Sequence, residues 1–237
     1  MQPSLSPAYV LHSRPYRDSS ALVDLLTLHQ GLQRVVWRGA RGQRRKLAPQ
    51  SFMPLLVAFT GRSELKTLTQ AEVAGGFAQL QGEVLFSGLY LNELLIRLLS
   101  PGDSQPMLFA AYQSALEALA DSHQVEPILR RFEWRLLGIL GYGFSLTEDA
   151  RGLPVSAQQR YVWHAAEGLQ VVHDPLVAGA GLPGQALLAM AADDWTDIHT
   201  LRAAKQLMRQ ALGVHLGDRP LGSRQFFARQ PRKGDEQ

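Results

Sequence analysis

The chain has 237 residues, 46% hydrophobic and 19% charged, which is enough apolar material for one large or two modest cores and too little charge for a disordered chain. It contains no cysteine, so disulfides, thiolate zinc sites, iron–sulfur clusters and cysteine nucleophiles are excluded. The net charge of +3 hides a segregation, with ten basic residues against three acidic in 1–66, six against fifteen in 67–201, and eight against three in 202–237. Such a pattern makes a polyanion-binding surface if the fold joins the basic ends.

In chain order, the first part reads as short β-branched and apolar runs separated by turn residues. Strands are predicted at Ala8–Ser13, Ala21–Thr27, Leu32–Arg38, Phe52–Thr60 and Glu64–Thr69, with Gly31, Gly39, Gly42 and Gly61 between them or at their ends. Five short strands suggest a compact barrel, either the OB-fold that binds oligonucleotides or an SH3-like one. From Val84 the period changes, because Leu85, Leu89, Asn92, Ile96 and Leu99 recur at helical spacing up to the stop at Pro101-Gly102-Asp103. Two further helices are predicted over Met107–Ala120 and Pro127–Leu140, the latter with Leu129, Phe132, Leu136 and Leu140 on one face and Gly141-Tyr142-Gly143 as its stop.

Residues Ser145–Gly181 are turn-rich and read as an insertion with a strand pair near Tyr161–Trp163 and Leu169–His173. Helices return over Pro183–Ala192 and Thr196–Leu216, and the basic tail is predicted to hold a short helix at Ser223–Arg229. No internal repeat is present. Met1–Pro7 lacks a basic region leading into an apolar stretch, and no apolar run reaches the ~18 residues of a membrane span, so a cytoplasmic protein without membrane contact is expected.

The most informative stretch is Leu25–Ser63, which has no Asp or Glu but carries Arg34, Arg38, Arg41, Arg44, Arg45, Lys46 and Arg62. Arg41–Lys46 has loop composition, so its side chains can reach phosphates without being buried, and Trp37 offers an indole face for base stacking. A solvated loop with Trp37 in the barrel core fits the same residues. A second candidate is the stripe Arg202, Lys205 and Arg209 beside the buried face Leu201, Ala204, Met208 and Ala211; such stripes are more often solvated helix surface. A third is Arg130-Arg131-Phe132-Glu133-Trp134-Arg135, which suits an acidic peptide with an apolar end, unless Arg131 or Arg135 pairs with Glu126 or Glu133.

Enzyme signatures are missing: there is no phosphate-binding Gly-x-x-x-x-Gly-Lys-Ser/Thr loop, no Gly-x-Gly-x-x-Gly after a strand and no Gly-x-Ser-x-Gly elbow. The seven histidines show no paired metal-ligand spacing. Asp193, Asp194 and Asp197 precede a helix, where capping is a better use for them than magnesium.

Five blocks then resemble the bacterial RecO family, in family order. They are Ala8–Tyr16 through Gly39-Ala40-Arg41; Ser87–Leu94; Leu129–Glu133 with Leu140–Gly143; Leu201–Lys205; and Pro220–Arg224. The resemblance implies an α+β protein, with an OB-fold barrel over 1–80 and a mainly helical domain over 81–237. It implies a recombination mediator without catalytic residues or cofactor, cytoplasmic and nucleoid-associated. Such a protein binds single- and double-stranded DNA, anneals complementary strands, engages the acidic C-terminal tail of single-strand-binding protein and, with RecR, helps load RecA.

On this chain the DNA role falls to Arg34, Arg38, Arg41, Arg44, Arg45 and Lys46, with Lys66, Arg202, Lys205 and Arg209 as weaker candidates. The tail role falls to Arg130 and Arg131. Some family members carry a four-cysteine zinc site after the Gly-Tyr-Gly segment. Ser145–Gly181 has no cysteine, so no metal is expected, and apolar contacts of Tyr161, Trp163 and Leu169 must hold the insertion. The rival readings are an adaptor for acidic protein tails, with DNA binding incidental, and, third, a metal-dependent nuclease.

Overall fold

A computed structural model describes residues 5–42, 47–76, 79–121, 124–173, 179, 181–223 and 225. Arg44, Arg45 and Lys46 lie outside the described residues, as does most of the helix expected at 223–229. The described residues form two compact units, 5–121 with 220–223 and 225, and 124–219. The change of period near residue 80 marks the end of the barrel; the boundary between compact units lies further on, because two helices after the barrel belong to the first unit.

In the first unit, strands β1 (Ser6–Tyr16), β2 (Ser20–Thr27), β3 (Gly31–Trp37), β4 (Pro54–Thr60) and β5 (Leu65–Val73) close into a barrel in the order β1-β2-β3-β5-β4. The closure is made by parallel pairing of β3 with β5, Arg34 opposite Leu65. This is the five-stranded barrel of the OB-fold. Alternation puts Val10, Val23, Leu25, Val35, Leu55 and Val57 inside, together with Trp37 and Met53.

The β2–β3 turn is tied by Thr27, whose Oγ1 donates to Gly31 O at 2.9 Å and accepts from Gln30 N at 3.1 Å. Gly31 is obligatory there, since its φ is +60° and a Cβ would lie 1.8 Å from the Asp103 carbonyl oxygen.

Strand β1 carries a bulge between Val10 and His12, which takes Leu11 out of the β1–β2 ladder. A buried carbonyl freed in this way needs a donor. Helix α1 (Gly82–Leu98) supplies it: Asn92 Nδ2 donates to Leu11 O at 2.7 Å, while Asn92 Oδ1 accepts from Tyr112 Oη at 2.6 Å. Tyr112 lies on α2 (Pro106–Asp121), and burial, with Tyr9 nearby, pushes its phenol well above the ordinary range. One amide thus fastens both helices to the barrel. The segment returning at residue 220 is held on α1 by Glu93, which accepts from Gly222 N at 2.8 Å, Ser223 N at 2.8 Å and Ser223 Oγ at 2.6 Å.

The second unit contains α3 (Val125–Ile139), β6 (Arg160–His164), β7 (Gly168–Val171), β8 (Leu182–Pro183), α4 (Gly184–Ala191) and α5 (Ile198–Leu216), with a small sheet ordered β7-β6-β8. Tyr161, Leu169 and Leu182 are buried in this insertion, and Trp163 packs on Phe144 at 4.9 Å between ring centres. Asp197 caps α5 by accepting from Thr200 N at 2.8 Å. Among the described residues, no helix is long and apolar enough to cross a membrane.

Candidate nucleic-acid interface

The outer face of β2 and β3 is where an OB barrel meets oligonucleotides, together with the β1–β2 and β4–β5 loops. Here that face opens into a groove of about 560 Å³, within the first unit. Leu22, Asp24, Leu32 and Arg34 line it from the sheet, Arg62, Ser63 and Glu64 from the β4–β5 loop, Ile96 and Leu99 from α1 and the residue after it, and Tyr16 and Lys66 also line it. The charged lining comprises three cations against two carboxylates.

Of the predicted DNA-binding residues, Arg34, Arg38, Arg41, Lys66, Arg202, Lys205 and Arg209 are among the described ones. Arg34 projects from β3 opposite Asp24 on β2, and its Nε donates to Asp24 Oδ1 at 2.6 Å. The hydrogen bond to Asp24 is the main reason the Arg34 guanidinium holds its proton more tightly than usual. Arg38 is exposed in the turn that follows β3. Arg41 is exposed beside the β1–β2 turn, with its N–H on Ser19 O at 2.9 Å and Nη1 3.4 Å from Arg17 O. Lys66 is half-buried on β5, its ammonium 5.1 Å from the centre of the Phe59 ring.

Trp37 is in the barrel core and offers no stacking face. The aromatic that lines the groove is Tyr16, with the Arg17 guanidinium 5.3 Å from its ring centre. Arg14, Arg17 and Arg62 are exposed around the same loops and were not in the predicted set. The signal for Arg17 was the Arg17-Asp18-Ser19 turn joining two predicted strands, which is the first binding loop of an OB barrel.

In the second unit, Arg202, Lys205 and Arg209 are exposed on α5 while Leu201, Ala204, Met208 and Ala211 are buried. Lys205 Nζ pairs with Glu126 Oε1 at 2.6 Å, so one of the three charges is compensated. Arg130 requires a correction. It is 6% exposed and its Nη1 lies 2.9 Å from Glu133 Oε2, which is fully buried, so it belongs to an internal ion pair and not to a surface for an acidic tail. The reason is helical: positions 130 and 133 share the inward side of α3 with Leu129, Phe132 and Leu136.

Arg131 remains partly exposed, and its Nε donates to Asp193 Oδ1 at 2.9 Å. The same oxygen accepts from Trp195 Nε1 at 2.6 Å. Burial alone would raise the Asp193 pKa, but the bonds from Trp195 and Arg131 outweigh it and hold the carboxyl below its ordinary value. Asp194 accepts from Thr196, so all three aspartates before α5 have hydrogen-bond donors. Among the described residues no group of three or more His, Asp or Glu is arranged to hold a metal ion.

Two family models match the chain: the one described as "Recombination protein O N terminal" over residues 1–77, and the one described as "Recombination protein O C terminal" over residues 79–225. The chain is similar to proteins named DNA repair protein RecO. It is 53% identical over 223 residues to that of Stutzerimonas stutzeri (strain A1501), covering 93% of this chain and 92% of the relative. Identity is 52% over 219 residues to that of Pseudomonas paraeruginosa (strain DSM 24068 / PA7), covering 92% of each. With that of Pseudomonas putida (strain W619) it is 50% over 226 residues, covering 95% and 98%.

Proposed function

Because the chain belongs to the RecO family of DNA repair and recombination proteins, we propose that its barrel binds single- and double-stranded DNA and anneals complementary strands. The observation that carries this reading is the groove on the β2–β3 face, where Arg34, Arg62 and Lys66 converge with Tyr16 on an OB barrel, with exposed Arg38 in the turn after β3. Phosphates held there release counterions, and the repulsion between two strands falls. Exposed arginines around the β1–β2 turn extend the basic surface, and the Tyr16 ring supplies a stacking platform. No bond is made or broken in this mechanism, so the protein is not an enzyme in this reading.

The finer assignments are part of the same proposal. The protein acts at the nucleoid, in the cytoplasm, on DNA coated by single-strand-binding protein, and with RecR it helps load RecA. Arg131 is the part of the original tail-binding pair that fits an acidic C-terminal tail, because it is accessible and already engages a carboxylate.

The test is binding and annealing across a salt series, comparing wild type with Arg38, Arg62 and Lys66 all changed to Ala. Loss of three phosphate contacts flattens the log–log salt slope of single-strand binding by up to about 2.1, and annealing of coated complementary strands falls with it. An unchanged slope and unchanged annealing refute this site. Wild-type protein that binds the tail peptide but never anneals establishes the adaptor instead, and DNA cut in magnesium establishes a nuclease.

A further inference from the structure

In the groove, one carboxylate sits where a DNA-binding surface gains nothing from a negative charge. Asp24 lies in mid-strand on β2, directly opposite His12 of β1 on one side and Arg34 of β3 on the other. Its side chain is 11% exposed and that of Arg34 50% exposed, so the acid forms the floor and the guanidinium rises from it. The 2.6 Å bond from Arg34 Nε is short and charge-assisted. His12 Nδ1 stands 3.8 Å from the other carboxylate oxygen. With Asp24 and Glu64 set against Arg34, Arg62 and Lys66, the groove lining has one net positive charge, and without Asp24 it has two.

We propose that Asp24 is an internal substitute for phosphate: it occupies Arg34 in the DNA-free protein, so that a DNA phosphate gains Arg34 only by displacing it, and it thereby limits affinity. The inference rests on the DNA-binding reading of the groove. Its chemistry is the exchange of one oxyanion for another on a single guanidinium, with no change in the number of ion pairs. An Arg neutralised in this way contributes little counterion release, whereas unpaired Arg62 contributes fully. The consequence suits a protein that must hand DNA on, because a site with its own competing anion lets go of phosphate readily.

Asp24→Asn tests the proposal, since the amide keeps the shape and an acceptor for Arg34 Nε but removes the charge. Binding of oligothymidylate at low salt is expected to tighten about 5-fold, and the log–log salt slope to steepen by up to about 0.7, one phosphate contact on a single strand. In an Arg34→Ala background the same change relieves only repulsion, and the slope is expected to stay unchanged, because there is no guanidinium left to release.

Weaker or unchanged binding by Asp24→Asn overturns the proposal, and so does an equal steepening of the slope in both backgrounds, which assigns Asp24 to general repulsion. If Asp24→Asn fails to fold, the exposed single variants decide. Arg62→Ala is expected to flatten the salt slope by up to about 0.7 and Arg34→Ala to leave it nearly unchanged; equal flattening overturns the proposal. Wild-type protein that shows no salt-dependent binding at all removes the underlying DNA reading, and this inference with it.

Discussion

Changing Asn92 to Ala is expected to destabilise the first unit by about 2–4 kcal/mol, because the residue makes two buried hydrogen bonds that nothing nearby replaces in full. The amide is 2% exposed, donates to Leu11 O at 2.7 Å and accepts from Tyr112 Oη at 2.6 Å. A buried polar group that loses its partner costs about 1–3 kcal/mol. Leu11 O retains Ser51 Oγ at 3.3 Å, which places its share at the low end, and the small cavity left by the amide adds to the total.

Set against a total stability of about 5–15 kcal/mol, this loss is large. The assay is urea denaturation of the full chain followed by circular dichroism, where a slope of about 2 kcal/mol per molar urea turns the loss into a midpoint shift of about 1–2 M. Tyr112→Phe, which removes only one of the bonds, is expected to cost about 1 kcal/mol. A loss below about 1 kcal/mol for Asn92→Ala, with the slope unchanged, refutes the view that this amide fastens α1 and α2 to the bulged strand.

Three further outcomes are expected. Burial alone would raise the Glu93 pKa, but its bonds from Ser223 and Gly222 and the nearby Arg97 outweigh it and hold it below the ordinary 4.5. The contribution of this clasp to stability is therefore complete above pH 4.5 and is lost as pH falls through the lower folded value. Amide resonances of Gly222 and Ser223 followed by NMR should titrate below 4.5 in wild type and not at all in Glu93→Gln; a midpoint at or above 4.5 contradicts the clasp. Glu133→Gln leaves Arg130 as a buried charge without its counter-ion and should cost about 3–5 kcal/mol by urea denaturation, whereas an exposed pair would cost under about 1. Chelator should leave the melting temperature unchanged, and a fall would show that a metal holds the cysteine-free insertion.

The strands and helices were legible because alternation and helical spacing are strong here: each of the five predicted barrel strands overlaps an observed one, and the ends differ by a few residues. The β1 bulge was not legible, since one extra residue leaves the apolar pattern of Ala8, Val10 and Leu11 readable either way. The acid-free stretch Leu25–Ser63 located the basic part of the barrel, but charge compensation in a sheet follows strand register and not chain proximity. Asp24 borders that stretch and neutralises Arg34, ten residues away, because the β2–β3 pairing sets them opposite each other.

The same reasoning explains Arg130 and Glu133. Their spacing of three was visible, but which side of α3 they occupy was decided by packing, and local charge composition suggested solvent. Trp37 shows the converse, an aromatic between two arginines whose alternation with Val35 already pointed inward.

The chain leaves the first unit after residue 121, builds the second unit over 124–219, and is fastened again on α1 at Gly222 and Ser223. The second unit is therefore an excursion with a tether at each end, one covalent through α2 and the other ending in a carboxylate grip. Truncation before residue 220 would take away the Gly222 and Ser223 donors of Glu93, and with them the bonds that hold its carboxyl below the ordinary value.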